Sequence, residues 1–206
     1  MIQYLILGIT FAFAAAVQPG PFQSYLISQS LSKGWRRTFV SAFAPLFSDG
    51  PIIILTLFIL TRMPHWLISV LQLSGGAFLF YLAFESFKTW KKYDPNNQLT
   101  PEPDNRPLWK AVMVNLLNPN PYLGWSLVMG PLLLKGWREN PAYAVSLLTG
   151  FYTTIILGSF TIVLIFSAAR TLGPRLNRTL LGLSVITIAG FGCFELFMGV
   201  KDLFLN

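Results

Sequence analysis

With 206 residues, 53% of them hydrophobic, 11% charged and a mean hydropathy of +0.56, the chain carries more apolar surface than a soluble domain of its length can bury. A net charge of +7 would suggest nucleic acid in a soluble protein, but here the basic residues sit in the connections between apolar stretches, and no nucleic-acid partner is expected. Cys193 is the only cysteine, which excludes an intrachain disulfide, a Cys-x-x-Cys redox pair and a thiolate metal cage; neither cofactor nor metal is expected.

A helix needs about 20 apolar residues to cross the hydrocarbon of a bilayer. Six stretches qualify: Gln3 to Leu31, Thr38 to Leu60, Trp66 to Phe87, Ala111 to Leu134, Tyr143 to Ala169 and Leu180 to Val200. The expectation is an all-α, polytopic membrane protein forming one domain over residues 1–206. Trp35, Trp66, Trp90, Trp109 and Trp137 fall at span edges, where amphipathic rings prefer to sit, and only Trp125 lies well inside a span. Ala14-Ala15-Ala16 resembles a leader-cleavage region, but no basic residue precedes the apolar run, so the first stretch reads as a span.

Inside that first stretch lies Gln18-Pro19-Gly20-Pro21. Two prolines remove two backbone donors, so the helix must open there. Within hydrocarbon, freed backbone groups are tolerated only against other protein or a water-filled cavity. A simple proline kink is the alternative for one such break. Gly8, Ala12 and Ala16 precede it as a small-residue stripe; Gln23, Ser24, Ser28 and Gln29 give the outgoing half a polar face.

The second span places Ser41, Ala44, Pro45, Ser48 and Asp49 on one side, with Asp49 about halfway along. An acid at that depth costs on the order of 3 kcal/mol on insertion scales and should face the protein interior. A buried hydrogen bond to Ser41, Ser48 or backbone is the purely structural reading. The third span ends at Glu85, close enough to the boundary to be solvated, and His65 reads as a solvated loop residue. The segment 89–108, with Asp94-Pro95-Asn96-Asn97 and Pro101-Glu102-Pro103, reads as a polar linker between halves 1–88 and 109–206.

The fourth span repeats the device of the first as Asn118-Pro119-Asn120-Pro121, and Lys-Gly-Trp-Arg follows each break, at residues 33–36 and 135–138. Three spans per half would make the copies inverted, a 3+3 repeat with broken helices 1 and 4, and paired interruptions of this kind point to a transporter binding site. The fifth span has a stripe at Gly150, Thr154 and Gly158 and no acid where Asp49 would be mirrored, near Gly150 and Phe151. The sixth carries Glu195, either beside the site or reaching the boundary. Paired stripes are compatible with a homodimer or with packing inside one chain. Eleven of the fifteen Lys and Arg residues lie in the odd-numbered connections, which puts those in the cytoplasm and both termini outside.

These residues resemble the LysE/RhtB family of bacterial amino-acid exporters. The likeness rests on Gln18-Pro19-Gly20-Pro21, Ser48-Asp49-Gly50, Gly76-Ala77-Phe78-Leu79-Phe80-Tyr81-Leu82, Asn118-Pro119 and the glycine-rich last helix, and it spans essentially the whole chain. It implies an efflux carrier of the bacterial inner membrane, driven by proton antiport. The family often has Asn-Pro-Lys where this chain has Asn118-Pro119-Asn120, and exporters of cationic amino acids can carry an acid in the fifth helix. The first departure makes the second break more rigid and leaves it without a lysine; the second, the missing acid, favours a neutral amino acid or derivative as the substrate.

A carrier for a zwitterion must partner a carboxylate and an ammonium. Half-helices beginning after Pro21 and Pro121 would aim N–H groups at the carboxylate, while carbonyls of Gln18, Asn118 and Asn120 would accept from the ammonium. Asp49 would bind that ammonium or a coupling proton. The expected substrate site is Gln18, Pro19, Gly20, Pro21, Gln23, Ser24, Asp49, Asn118, Pro119, Asn120, Pro121 and Glu195. A divalent-cation exporter is the nearest competitor but would want several carboxylates or histidines. An enzyme is not expected, as the spans hold no His-Glu-x-x-His, paired histidines or Ser/Lys pair. A scaffold without transport would need exposed interaction loops, which the linker alone offers.

Overall fold

A computed structural model describes residues 1–58, 65–92 and 106–204; the side chains of 58, 65–68 and 202–204 are not described. The readings for Arg62, the His65 and Trp66 side chains and linker residues 93–105 fall outside these residues. All regular structure among the described residues is helical. The first span is α1 (Ile2–Val17) and α2 (Pro21–Lys33), bent by 63° at the break. Then come α3 (Trp35–Thr38), a 3-10 segment (Phe39–Phe43), α4 (Ala44–Phe58) and α5 (His65–Lys91). The fourth stretch is a chain of pieces: α6 (Pro107–Leu116), α7 (Pro119–Gly124), a π turn (Trp125–Met129) and α8 (Gly130–Glu139). Finally α9 (Pro141–Ala169), a 3-10 turn (Arg170–Leu172) and α10 (Pro174–Phe204) complete the chain.

Four runs are long and apolar enough to cross a membrane, and the bent α1–α2 pair makes five. These are runs of the described residues, and the fourth stretch, interrupted at Asn118-Pro119-Asn120-Pro121, is not among them. The molecule is an all-α, multi-pass membrane protein. Large apolar side chains such as Phe13, Ile54, Leu127, Ile165, Ile186 and Phe197 lie exposed on its outside, where acyl chains solvate them.

Lipid is as apolar as a leucine side chain, so helices here gain little from hydrophobicity and rely on close packing. The two small-residue stripes provide it against each other. A Cβ at Gly8 would strike the Leu147 carbonyl and sit 2.9 Å from the Phe151 nitrogen, and one at Gly150 would lie 2.5 Å from the Leu5 carbonyl. Ala16 meets Gly158 further along the same seam. The stripes therefore join α1 to α9 within one chain. On the other flank α5 and α10 run antiparallel, with Gly76 against Leu196 and Gly182 against Trp90. α2 enters between α9 and α10, while α4 packs on α6.

The basic connections converge on one end of the bundle. Trp90 donates to the Arg178 carbonyl at 3.0 Å beneath the Arg178 guanidinium, Arg170 approaches Gly34, and Lys110 pairs with Glu85 at 2.7 Å. Glu85 is thus neutralised by a cation, beyond the plain solvation expected of it, and also accepts from Tyr81 at 2.9 Å. Among the described residues, the opposite end holds Tyr4 donating to Glu139 at 3.1 Å. The repeated Lys-Gly-Trp-Arg does not repeat in conformation: Gly34 ends α2 at φ +77°, whereas Gly136 lies inside α8, held against Tyr4 and Ala144.

Candidate functional site

The first break follows directly from proline chemistry. Ala15 would normally accept from the N–H of residue 19, which Pro19 lacks. The Gln23 amide takes that place, donating from Nε2 to the Ala15 carbonyl at 2.9 Å. Gln18 turns to an extended conformation, Gly20 is fully extended at φ −161°, and Pro21 starts α2 at a position where its missing donor does no harm. No side chain caps α2, so the Phe22 and Gln23 N–H groups begin the helix without an intrahelical partner.

The second break is closed by its own side chains. Asn118 caps α7 by accepting from the Asn120 N–H at 3.0 Å, and the Tyr122 hydroxyl donates to the Leu116 carbonyl at 2.9 Å. The half-helix begins at Pro119, two residues earlier than expected, so Asn120 lies in its first turn and its carbonyl is not unwound backbone. Gly130 then donates to the Trp125 carbonyl five residues back, the signature of a π turn, with Pro131 following. Such turns re-aim side chains and recur at functional sites.

The two breaks meet around a cavity of about 250 Å³. Gln18, Pro19, Gly20 and Gln23 line it from the first, and Asn118, Asn120 and Pro121 from the second; Asp49 stands on the wall from α4. Asp49 is only 2% exposed. Asn115 donates from Nδ2 to Asp49 Oδ1 at 3.2 Å and to Ser48 Oγ at 2.7 Å, freeing the Ser48 hydroxyl to donate to the Ala44 carbonyl at 3.0 Å. Trp125, buried at 2% exposure, lines the same cavity as the carboxyl. Phe11, Trp125, Phe151 and Ile155 also line the cavity, with Trp125 and Phe151 edge to face at 5.4 Å between centroids.

The remaining expected residues lie elsewhere. Ser24 and Pro119 are buried but do not line the cavity. Pro21 and Glu195 border a second, much smaller void of about 10 Å³. Asp49 has partners, but Ser41 is not among them: its hydroxyl is buried without one. Asn115 was missed because a lone Asn a turn before a proline gives no signal of its own. Trp125 carried one, as the single tryptophan inside a span. Phe151 was noted only for not being an acid, yet it lines the cavity.

A membrane protein whose two proline breaks enclose a polar cavity under a mid-span acid is built as a carrier. The profile of the LysE type translocators matches residues 13–201, covering both breaks and Asp49. The chain belongs to the LysE type translocator family. Neither the comparison with curated proteins nor that with solved structures gave a match. As a LysE type translocator the molecule is a membrane transporter.

Proposed function

We propose that this translocator exports a neutral amino acid or a small derivative across the bacterial inner membrane in exchange for protons. The observation that carries the reading is the cavity itself, lined by one carboxylate, by amide groups and an uncapped helix start, and by the aromatic rings of Phe11, Trp125 and Phe151. At about 250 Å³ it suits a metabolite and falls below the roughly 300–1,000 Å³ of drug-sized ligand pockets.

In this scheme the substrate carboxylate sits at the start of α2, whose free N–H groups and positive dipole end favour an anion. The ammonium goes to Asp49, and the side chain lies on Phe11, Trp125 and Phe151. A cationic side chain would need a second carboxylate there, and the cavity has none among its described lining residues. Asp49 alternates between proton and ammonium as the halves 1–88 and 109–206 rock as inverted repeats, with the arginine- and lysine-rich end in the cytoplasm and both termini outside. No group of three His, Cys, Asp or Glu residues stands together among the described residues, which favours this reading over a divalent-cation exporter.

The test is a growth challenge with cells overproducing the protein, exposed to toxic analogues of neutral amino acids or to divalent metals. Resistance to the analogues, lost in Asp49→Asn while the variant inserts and folds, is the expected result. Full export by that variant removes Asp49 from the mechanism, and resistance to metals alone overturns the amino-acid reading.

A further inference from the structure

Glu195 is 5% exposed on α10, and its Oε2 has no hydrogen-bond partner. It borders a void of about 10 Å³, the size of one water molecule, with Gly75, Phe78 and Leu79 of α5, Val114, Leu117 and Asn118 of the second break, and Pro21 of the first. Among the described residues, no lysine, arginine, histidine or second acid lines this void from α2, α5, α6 or α10. An ionised carboxylate with no cation and no donor is expensive in such a place.

The neighbouring backbone favours a donor instead. The N–H that would satisfy the Leu117 carbonyl belongs to residue 121, a proline, and that carbonyl is pressed against Gly75, where a Cβ would come within 2.5 Å. Leu117 lines the same void as Glu195, so a neutral carboxyl has an acceptor on that wall for its O–H, whereas a carboxylate would find none of the donors it needs. One turn along α10, at Gly199, Gln72 of α5 packs with its own Oε1 buried and unpaired, a second acceptor on the same seam.

We propose that Glu195 and its void form a proton-holding site separate from the Asp49 cavity, released when the second break moves. Asn118 borders both spaces, so a shift of the break that follows cargo also shifts the Leu117 carbonyl. With the acceptor withdrawn and water admitted, Glu195 passes its proton to water and becomes a carboxylate. Only this coupling to cargo rests on the exporter reading; the held proton does not.

Infrared difference spectra of the purified protein in lipid at neutral pH test both parts without any transport. Wild type minus E195Q should contain the C=O stretch of a protonated carboxylic acid, and E195D should shift that band. N118A should move it as well. A difference spectrum holding only carboxylate stretches overturns the proposal, even if efflux proceeds. A band present but unmoved by N118A overturns the link to the cavity. Loss of efflux in D49N with the Glu195 band intact is a result for the exporter reading alone.

Discussion

The two breaks use the same residues to opposite ends. At Gln18-Pro19-Gly20-Pro21 the chain leaves α2 uncapped, and one side chain, Gln23, mends one carbonyl. At Asn118-Pro119-Asn120-Pro121 the Asn118 cap and the Tyr122 hydroxyl hold the turn from within, and the π turn then places Trp125 in the cavity that Asp49 lines. Hydrocarbon cannot satisfy a freed backbone group, and each break mends only part of its own: the carbonyls of Val17 and Leu117 still have prolines where their helical donors would be. The breaks differ in what is left over: the first keeps donors free for an anion, and the second spends its polar groups on holding shape. The first break is thus suited to binding and the second to positioning.

The largest effect should come from closing the first break. Pro19→Ala with Pro21→Ala restores donors for the Ala15 and Val17 carbonyls and lets α1 run into α2. Efflux should be lost while thermal unfolding shifts upward, since a proline within a helix costs about 3 kcal/mol or more. Pro119→Ala should be far milder, at most about tenfold in efflux or ~1.4 kcal/mol, because Asn118 and Tyr122 still hold the turn. Equal losses from the two would erase the distinction.

Next in size are the two mends. Gln23→Leu and Tyr122→Phe each strand a carbonyl at a cost of about 1–3 kcal/mol in unfolding. Gln23 also lines the cavity, so its variant should lose efflux beyond its stability loss, while Tyr122→Phe should lose efflux only in step with stability. Removing the cap by Asn118→Ala should cost about 1 kcal/mol in thermal unfolding, recovered by Asn118→Ser, which caps equally well. Smallest is Lys135→Ala at the far end. It breaks an exposed 3.9 Å pair with Glu139 and should change unfolding by less than about 0.5 kcal/mol.

Both breaks were legible in the sequence because a proline's missing N–H is a local fact that no tertiary contact restores. Asp49 was legible for a related reason, since a carboxyl at mid-span must turn inward. Its partners were not: Asn115 is distant along the chain, and nothing local marks it as the donor. The repeated Lys-Gly-Trp-Arg shows the limit from the other side. Four identical residues end a helix at Gly34 and continue one at Gly136, because packing against Tyr4 and Ala144 decides the second and not the tetrapeptide. Glu195 was offered as a cavity residue and lies on a separate void, because α5 and α10 line that void and contribute nothing to the larger cavity, and which helices meet there is not a local property of the sequence.

Composition and proline placement, read along one dimension, determined that the chain lives in a membrane, where its helices must open, and which acid must face inward. These follow from the solvent, because hydrocarbon cannot satisfy a backbone group or a charge. Only the tertiary structure decided that the two openings share one cavity, that the small-residue stripes join α1 to α9 inside a single chain, and that Glu195 stands apart with Leu117 and Asn118. Such pairings depend on which helices approach most closely, and that is set by side chains far apart in sequence.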